Sequence, residues 1–432
     1  MTDISCLPTA LVEVSCGGEV RRLPRPIRVG KAARRQFRRY VTFGSLKNVS
    51  ASRFYVDAVR PVMLPIRMAW CLGKFGSEIA RAGRPLLAQA QDMMRLAWRE
   101  GIDPILYPML ELYRPERRGW SDDALSRFEL GSGLLKRLHK LHPPKHGRRV
   151  NLGDKLAFHA RCRLHDLPSP TVLIQATGGR ISWLEEPGNE LLDRDLFMKP
   201  RQSRGARNAL WLRRISPFTW ITNDGKIWSL GELLTQLKRR SLRQDFVLQV
   251  MLLNHPQISD LADQSLIAIR VFTALYADGE PIVTHAMLRI LSKLEPRWHS
   301  KREHAVAIDL KTGRMGQMCN DKDLWPGRWA DKHPVTGARV KDRVLLSWPK
   351  VKALAEAAHR IFDDRMLIGW DIAVTPEGPV VLEGNSYPDV HFLQRVHQQP
   401  IGHSALGPLL QMSLDRLEIN DHHMTNPSTG IP

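Results

Sequence analysis

Apolar and polar positions change their period partway along the chain. Between Pro61 and His142, apolar residues recur at three- and four-residue steps in ARAGRPLLAQAQDMMRLAWREG and DDALSRFELGSGLLKRLHKLH, which predicts helices. Pro143-Pro144-Lys145-His146-Gly147 breaks that period and predicts a boundary. From Asn151 the texture is mixed. LGDKLAFHARCRLHDLPSPTVLI predicts a helix capped by Asp154, with Lys155 in its first turn, then a Pro-marked loop and a β-branched strand. DLFMKPRQSRGARNALWLR predicts a strand ending in Lys199, a loop over 203–207 and a second strand. A helix over Ser229–Arg240 follows, then strands over Phe246–Leu253, Ser265–Tyr276, Ile282–Leu291 and Val306–Thr312, with Asp278-Gly279 turning one hairpin. Residues 321–347 are polar and loop-like, and Trp348–Arg365 predicts an amphipathic helix.

The stretch LIGWDIAVTPEGPVVLEGNSYPD (367–389) predicts a second hairpin, because Pro presets one turn torsion at Pro376-Glu377-Gly378 and Gly accepts an unusual one. Centred on Glu377, it places Asp371 opposite Glu383 and Gly369 opposite Asn385. Asp371, Glu383 and Asn385 then share one face, and Ile372, Val374, Val380 and Leu382 share the core face. Two carboxylates about 5 Å apart repel. A fold keeps such a pair when a cation sits between them or when one holds a proton. With the amide of Asn385 the set is all oxygen, which suits Mg²⁺ or Mn²⁺. The plainer reading is a solvated hairpin with two edge acids.

Composition narrows the partners more than the fold. The 432 residues leave room for two or three domains, and hydrophobic residues at 43% with charged ones at 25% are globular values. The 64 basic and 44 acidic residues give +20, which favours nucleotide phosphates, nucleic acid or an anionic membrane surface. Arg21–Arg39 holds nine basic residues and no acid. It is a candidate for anionic-surface contact, but with only Phe37 interleaved it reads first as a solvated arm, and no stable nucleic-acid partner is expected. Arg270 and Arg289 sit inside strands, where a guanidinium is costly unless it meets an anion. Five scattered cysteines with no CxxC pair suggest neither a zinc site nor a disulfide framework. With no signal-like start and no sustained apolar span, a reducing, cytoplasmic setting is expected.

Taken in order, GDKLAF (153–158), FMKP and its loop (197–207), VLQVMLLNHPQISDL (247–261), SLIAIRVFTALYADGEPIV (265–283), DKHPVTGARV (331–340) and LIGWDIAVTPEGPVVLEGN (367–385) resemble the ATP-grasp superfamily. The likeness is strongest to its sugar-transfer-associated branch, with α-L-glutamate ligase-like proteins. It implies an α+β fold, two subdomains gripping ATP (151–245 with a lid loop, 246–412 with a metal site), after a basic tail (1–60) and a helical region (61–150) and before a C-terminal tail (413–432). It also implies that Lys155 and Lys199 hold the ATP phosphates, that the lid includes Ser203 and Gly205, and that Gln249 with Val250, Met251 and Leu252 meets adenine. Arg270 is implied to lie near the transferred phosphate, with Lys199 also catalytic, and Asp371, Glu383 and Asn385 to hold Mg²⁺. Two departures stand out: Val250 and Met251 occupy positions where the family carries an acid, and SKLEPRWHSKREH (292–304) replaces an Asn and a Gly-Gly.

The activity this implies is ATP-dependent activation of a carboxylate as an acylphosphate for attack by an amine, with the substrate pair unidentified and polysaccharide or cell-surface synthesis as a setting. An ATP-grasp kinase, and a degenerate ATP-binding or polyanion-binding protein without turnover, remain open beside it. Phosphoryl transfer needs positioning and charge neutralisation rather than a covalent nucleophile, and no Ser/His/Asp or Cys/His constellation is evident.

Overall fold

Two large antiparallel sheets make up the body of the fold, seen in a computed structural model. It describes residues 11–16, 19–24, 28–43, 60–130, 134–145, 147–185, 194–202, 208–262, 265–291, 303–320 and 328–425. The chain opens with a ribbon of β1 (Leu11–Cys16) and β2 (Glu19–Pro24), then α1 (Val29–Phe43), α2 (Arg60–Arg81) and α3 (Leu86–Arg95). A π-turn, Leu96–Glu100, extends α3 and is closed by Gly101 at φ 76°. Short helical turns lead to α4 (Lys155–Leu164).

The first large sheet uses β3 (Val172–Thr177), β4 (Arg180–Trp183), β5 (Leu196–Pro200), β6 (Leu210–Ser216), β7 (Thr219–Thr222), β8 (Ile227–Ser229) and β9 (Phe246–Val250), in the order β4-β3-β9-β5-β6-β7-β8. Before β9 comes α5 (Leu230–Ser241), capped by Ser229, whose Oγ accepts from the Glu232 N–H; its Leu233 and Leu237 pack on Leu173, Leu248 and Trp220.

The second sheet has the order β13-β12-β11-β10-β14-β15. Its strands are β10 (Ala268–Leu275), β11 (Pro281–Leu291), β12 (Glu303–Ile308), β13 (Met315–Asn320), β14 (Leu367–Thr375) and β15 (Gly378–Asn385). Between β13 and β14 runs α6 (Trp348–Ile361), and after β15 come α7 (Val390–His397) and α8 (Leu406–Thr425). One face, with Ile269, Val271, Leu288, Trp370 and Ile372, packs on α6. Part of the other face, with Phe272, Met287 and Leu367, is covered by Leu125, Leu130, Leu134 and Leu138 and by α7 and α8. The rest of that face carries polar side chains.

Three expectations change. Arg21–Arg39 is no solvated arm: Arg21 and Arg22 lie in β2, and α1 docks with Val29 and Ala33 buried. Arg34 turns inward, donating to the carbonyls of Ala124 (3.0 Å) and Ser121 (3.2 Å), because the segment is amphipathic once its arginines are read on a helix. The C-terminal tail is also structured well past 413, since Leu414 and Leu417 of α8 are core residues. Third, the break at Pro143 ends a helix, Lys136–Lys140, but not a core, since Leu130, Leu134 and Leu138 share a cluster with the second sheet.

Two buried imidazoles set an acid limit. His139 accepts from the Met366 N–H at Nδ1 (3.1 Å) and donates from Nε2 to the Ser386 carbonyl (2.8 Å). His359 Nε2 lies 2.8 Å from the Arg365 carbonyl. Burial pushes both down to about 3 from the ordinary 6.5. The unfolded chain therefore takes up these protons first, and stability is lost as pH falls from 6.5 toward 3. Urea unfolding at pH 7, 5.5 and 4 is expected to show a loss on the order of 3 kcal/mol per histidine by pH 4. His359→Gln should flatten that slope.

Candidate active site

The β14–β15 hairpin positions the acids, though not by the expected turn. Thr375 pairs with Gly378, so the loop has two residues and its centre falls between Pro376 and Glu377. Gly378 sits at φ 131°, where a side chain is strained. A bulge between Asp371 and Ile372 then shifts the register by one and restores the pairs Asp371–Glu383, Trp370–Gly384 and Gly369–Asn385. The bulge also changes which side chains enter the core: Val381 is buried, whereas the expected Val380 and Leu382 are only half-buried. Beneath the acids, fully buried Trp370 donates Nε1–H to Thr273 Oγ1 at 2.7 Å. A Cβ on Gly384 would come within 2.9 Å of the Trp370 ring and Leu152, so glycine there is a packing requirement.

On the polar face, Arg270 lies directly across from Asp371 on β10. Its Nε and Nη2 donate to both carboxylate oxygens, the second at 2.7 Å. Arg289 of β11 adds Nη1 at 3.3 and 3.4 Å, while its Nε donates to Glu303 of β12. The anions that the two strand-interior arginines need are thus carboxylates of this chain. Burial alone would raise Asp371, but Arg270 and Arg289 outweigh it and hold the group at about 2. Glu383 is pushed above the usual carboxylate range by burial and then by Asp371.

Set against Glu383 are two lysines brought together by one clasp. Asp154 caps α4, accepting from the N–H groups of Leu156 (3.1 Å) and Ala157 (3.2 Å). It also takes a bidentate bond from Arg201, at 2.8 and 2.7 Å, just past the end of β5. The Lys155 N–H returns to the Arg201 carbonyl at 3.2 Å. Lys155, first in α4, and Lys199, in β5, are therefore neighbours. Burial, then Lys155, lowers Lys199 to about 8, against an upward pull from Glu383. Lys155 is lowered too, by burial. Lys155, Lys199, Arg270 and Arg289 set against Asp371, Glu383 and Glu303 leave one cation in excess, which draws an anion.

Gln249 is buried in β9. Beyond it the Val250 N–H donates to the Thr171 carbonyl (3.1 Å) and the Met251 N–H to that of Asp195 (2.8 Å), so both are spent within the protein. Leu252 is half-buried. Ser203, Gly205 and 292–302 lie outside the described residues. Sequence reasoning missed Glu303 and Arg201. Arg201 lies in the stretch 197–207, but its partner Asp154 is 47 residues away, and Glu303 meets Arg289 only once β11 and β12 pair.

Residues 139–406, more than half of the chain, match the family described as sugar-transfer associated ATP-grasp. The chain belongs to that family. This ATP-grasp protein is α+β, with its two antiparallel sheets and N-terminal helices. It is similar to the D-alanine-D-alanine ligase from Coxiella burnetii (11% identity, TM-score 0.34, 63% of this chain and 60% of that one). It is also similar to the ATP-grasp ligase PsnB complexed with minimal precursor (17%, 0.32, 62% and 60%) and to the L-amino acid ligase from Bacillus licheniformis (10%, 0.35, 61% and 48%). The chain thus spans about three fifths of the first two ligases. No curated protein matches it in sequence.

The family implies Mg²⁺ with ATP. Among the described residues no group of three or more His, Cys, Asp or Glu side chains gathers to hold an ion; the set here is two acids and an amide. Glu383 and Asn385 fit a hard ion as oxygen donors. Asp371 fits by sharing its oxygens with Arg270 or by releasing it. No described helix is long and apolar enough to cross a membrane.

Proposed function

We propose that this ATP-grasp protein is a ligase that activates a substrate carboxylate with ATP and joins it to an amine. The observation that carries this reading is Lys155 and Lys199 set against Glu383, the acid paired with Asp371 on the hairpin. The carboxylate oxygen attacks the γ-phosphorus, ADP leaves, and an acylphosphate forms. The amine then attacks the acyl carbon, inorganic phosphate departs with the C–O bond electrons, and the amine proton passes to solvent or a nearby base. Lys155 and Lys199 neutralise the phosphate oxygens, where negative charge would otherwise oppose attack by a carboxylate. Arg270, once released from Asp371, would add a third cation from the neighbouring strand. A divalent ion held by Glu383, Asn385 and Asp371 would supply further neutralisation and orientation of the phosphates. Ser203 and Gly205 are the proposed lid, and Gln249 to Leu252 the proposed adenine wall, through side chains and carbonyls rather than the N–H groups of Val250 and Met251. The subdomains proposed are 151–245 and 246–412, in a cytoplasmic protein.

Titration of Mg-ATP against the native chain and an Asp371→Asn/Glu383→Gln variant is the test. The variant is expected to bind about 10–100-fold more weakly or worse. Equal, metal-independent binding by both would remove the site assignment. Mass spectrometry of turnover with carboxylate and amine libraries should give a condensed product plus ADP and phosphate. A stable phosphorylated product would instead make the enzyme a kinase.

A further inference from the structure

Two helices of the N-terminal region carry apolar side chains on their inner and outer faces alike. Inward, Met68, Phe75 and Ile79 of α2 meet Met93 of α3 and Leu96 in one buried cluster. Outward, α2 shows Val62, Ile66 and Trp70 at four-residue steps, and α3 with its π-turn shows Leu87, Met94 and Trp98. Trp98 is 78% exposed, Leu87 73% and Val62 65%. Regular spacing makes this a stripe rather than scattered surface hydrophobes, and stripes of this kind mark contact surfaces. Basic residues flank it. Lys74 Nζ stands 5.1 Å above the Trp70 ring, and Arg95 and Arg99 adjoin Met94 and Trp98 in the chain. Residues 60–100 hold seven Lys and Arg against three Asp and Glu, within a chain of charge +20.

We propose that this helical hairpin docks on an anionic lipid bilayer, lying in the headgroup plane. An amphipathic helix with an apolar face, basic margins and tryptophans takes that position, its apolar side chains sinking about 5–10 Å while the basic groups stay with lipid phosphates. Tryptophan prefers this interface because its ring is apolar and its N–H is polar. Neither helix spans: none of the described ones is long and apolar enough. The stripe runs along the exposed sides of two helices, which suits a deformable film. This surface stands apart from the Asp371 site and does not rest on the ligase reading.

Flotation of the full chain with phosphatidylcholine vesicles, with and without roughly 30% phosphatidylserine, tests it. The chain is expected to float with the anionic vesicles and to shift its tryptophan emission to the blue. Trp70→Ser/Trp98→Ser should weaken this about tenfold or more, and Arg95→Glu/Arg99→Glu should remove the preference for phosphatidylserine. Mg-ATP affinity should stay unchanged in both variants and melting temperature in the arginine one. Because Trp70 also packs edge-on against buried Phe75, Trp98→Ser alone, at the most exposed side chain of the stripe, is the variant expected to weaken flotation with no change in melting temperature. Binding that survives the tryptophan variant and vanishes in about 0.5 M salt would point to basic residues elsewhere and overturn the proposal. So would indifference to both vesicles, including the case where sedimentation shows a dimer that the tryptophan variant dissolves.

Discussion

Arg289→Ala is expected to lower the free energy of unfolding by about 3–5 kcal/mol, because it strands a buried carboxylate. Glu303 is nearly inaccessible, and Arg289 is the cation bonded to it, with burial outweighed by Asp371 and Glu303 in keeping that guanidinium charged. The loss comes from the unpaired acid rather than from the value of the ion pair itself. Adding Glu303→Gln should therefore recover part of it, and a double-mutant cycle in urea separates the two contributions. A loss under about 1 kcal/mol for Arg289→Ala would show that Glu303 has another partner or takes up a proton.

The second large effect concerns nucleotide. Lys199→Ala is expected to weaken Mg-ATP binding by roughly 10–100-fold, the value of a charge-assisted contact in a buried site. Its pH profile is the sharper test. In the free protein the ammonium titrates at about 8, pushed down by burial and by Lys155. Bound phosphate favours the charged form, so affinity should hold up to about pH 8 and then fall by up to tenfold per unit as the proton must first be regained. The same shift makes the fold itself more stable as pH rises from about 8 toward 10.5, since there the unfolded chain holds the proton that the native one has lost. Calorimetric titration from pH 7 to 9.5 should show the break in the native chain and its absence in Lys199→Ala. A flat native profile would place Lys199 away from the phosphates.

The hairpin was legible because its information is local. Pro376 and Gly378 mark the turn, and alternation fixes the faces. Even so, the pairing of Asp371 with Glu383 came out right through two compensating offsets, a shorter turn and a bulge. The Asp154 cap of α4 was likewise readable from residue type and position. What could not be read depends on distant segments meeting. Arg270 faces Asp371 only because β10 pairs with β14, and no local pattern announces that pairing. The docking of α1 was hidden by its arginines. A basic run looks solvated until Arg34 is seen turned toward two backbone carbonyls. The end of α8 is similar, its buried Leu414 and Leu417 lying past the point where the chain turns polar.

The clasp between Asp154 and Arg201 has a mechanical side. The inner surface of α4, through Phe158 and Cys162, belongs to the core of the six-stranded sheet, whereas its first turn is fastened to the end of β5 in the seven-stranded one. That helix is a crosspiece nailed to both halves. Fastened at both ends, it holds Lys155 and Lys199 at one spacing however the rest of each half is arranged.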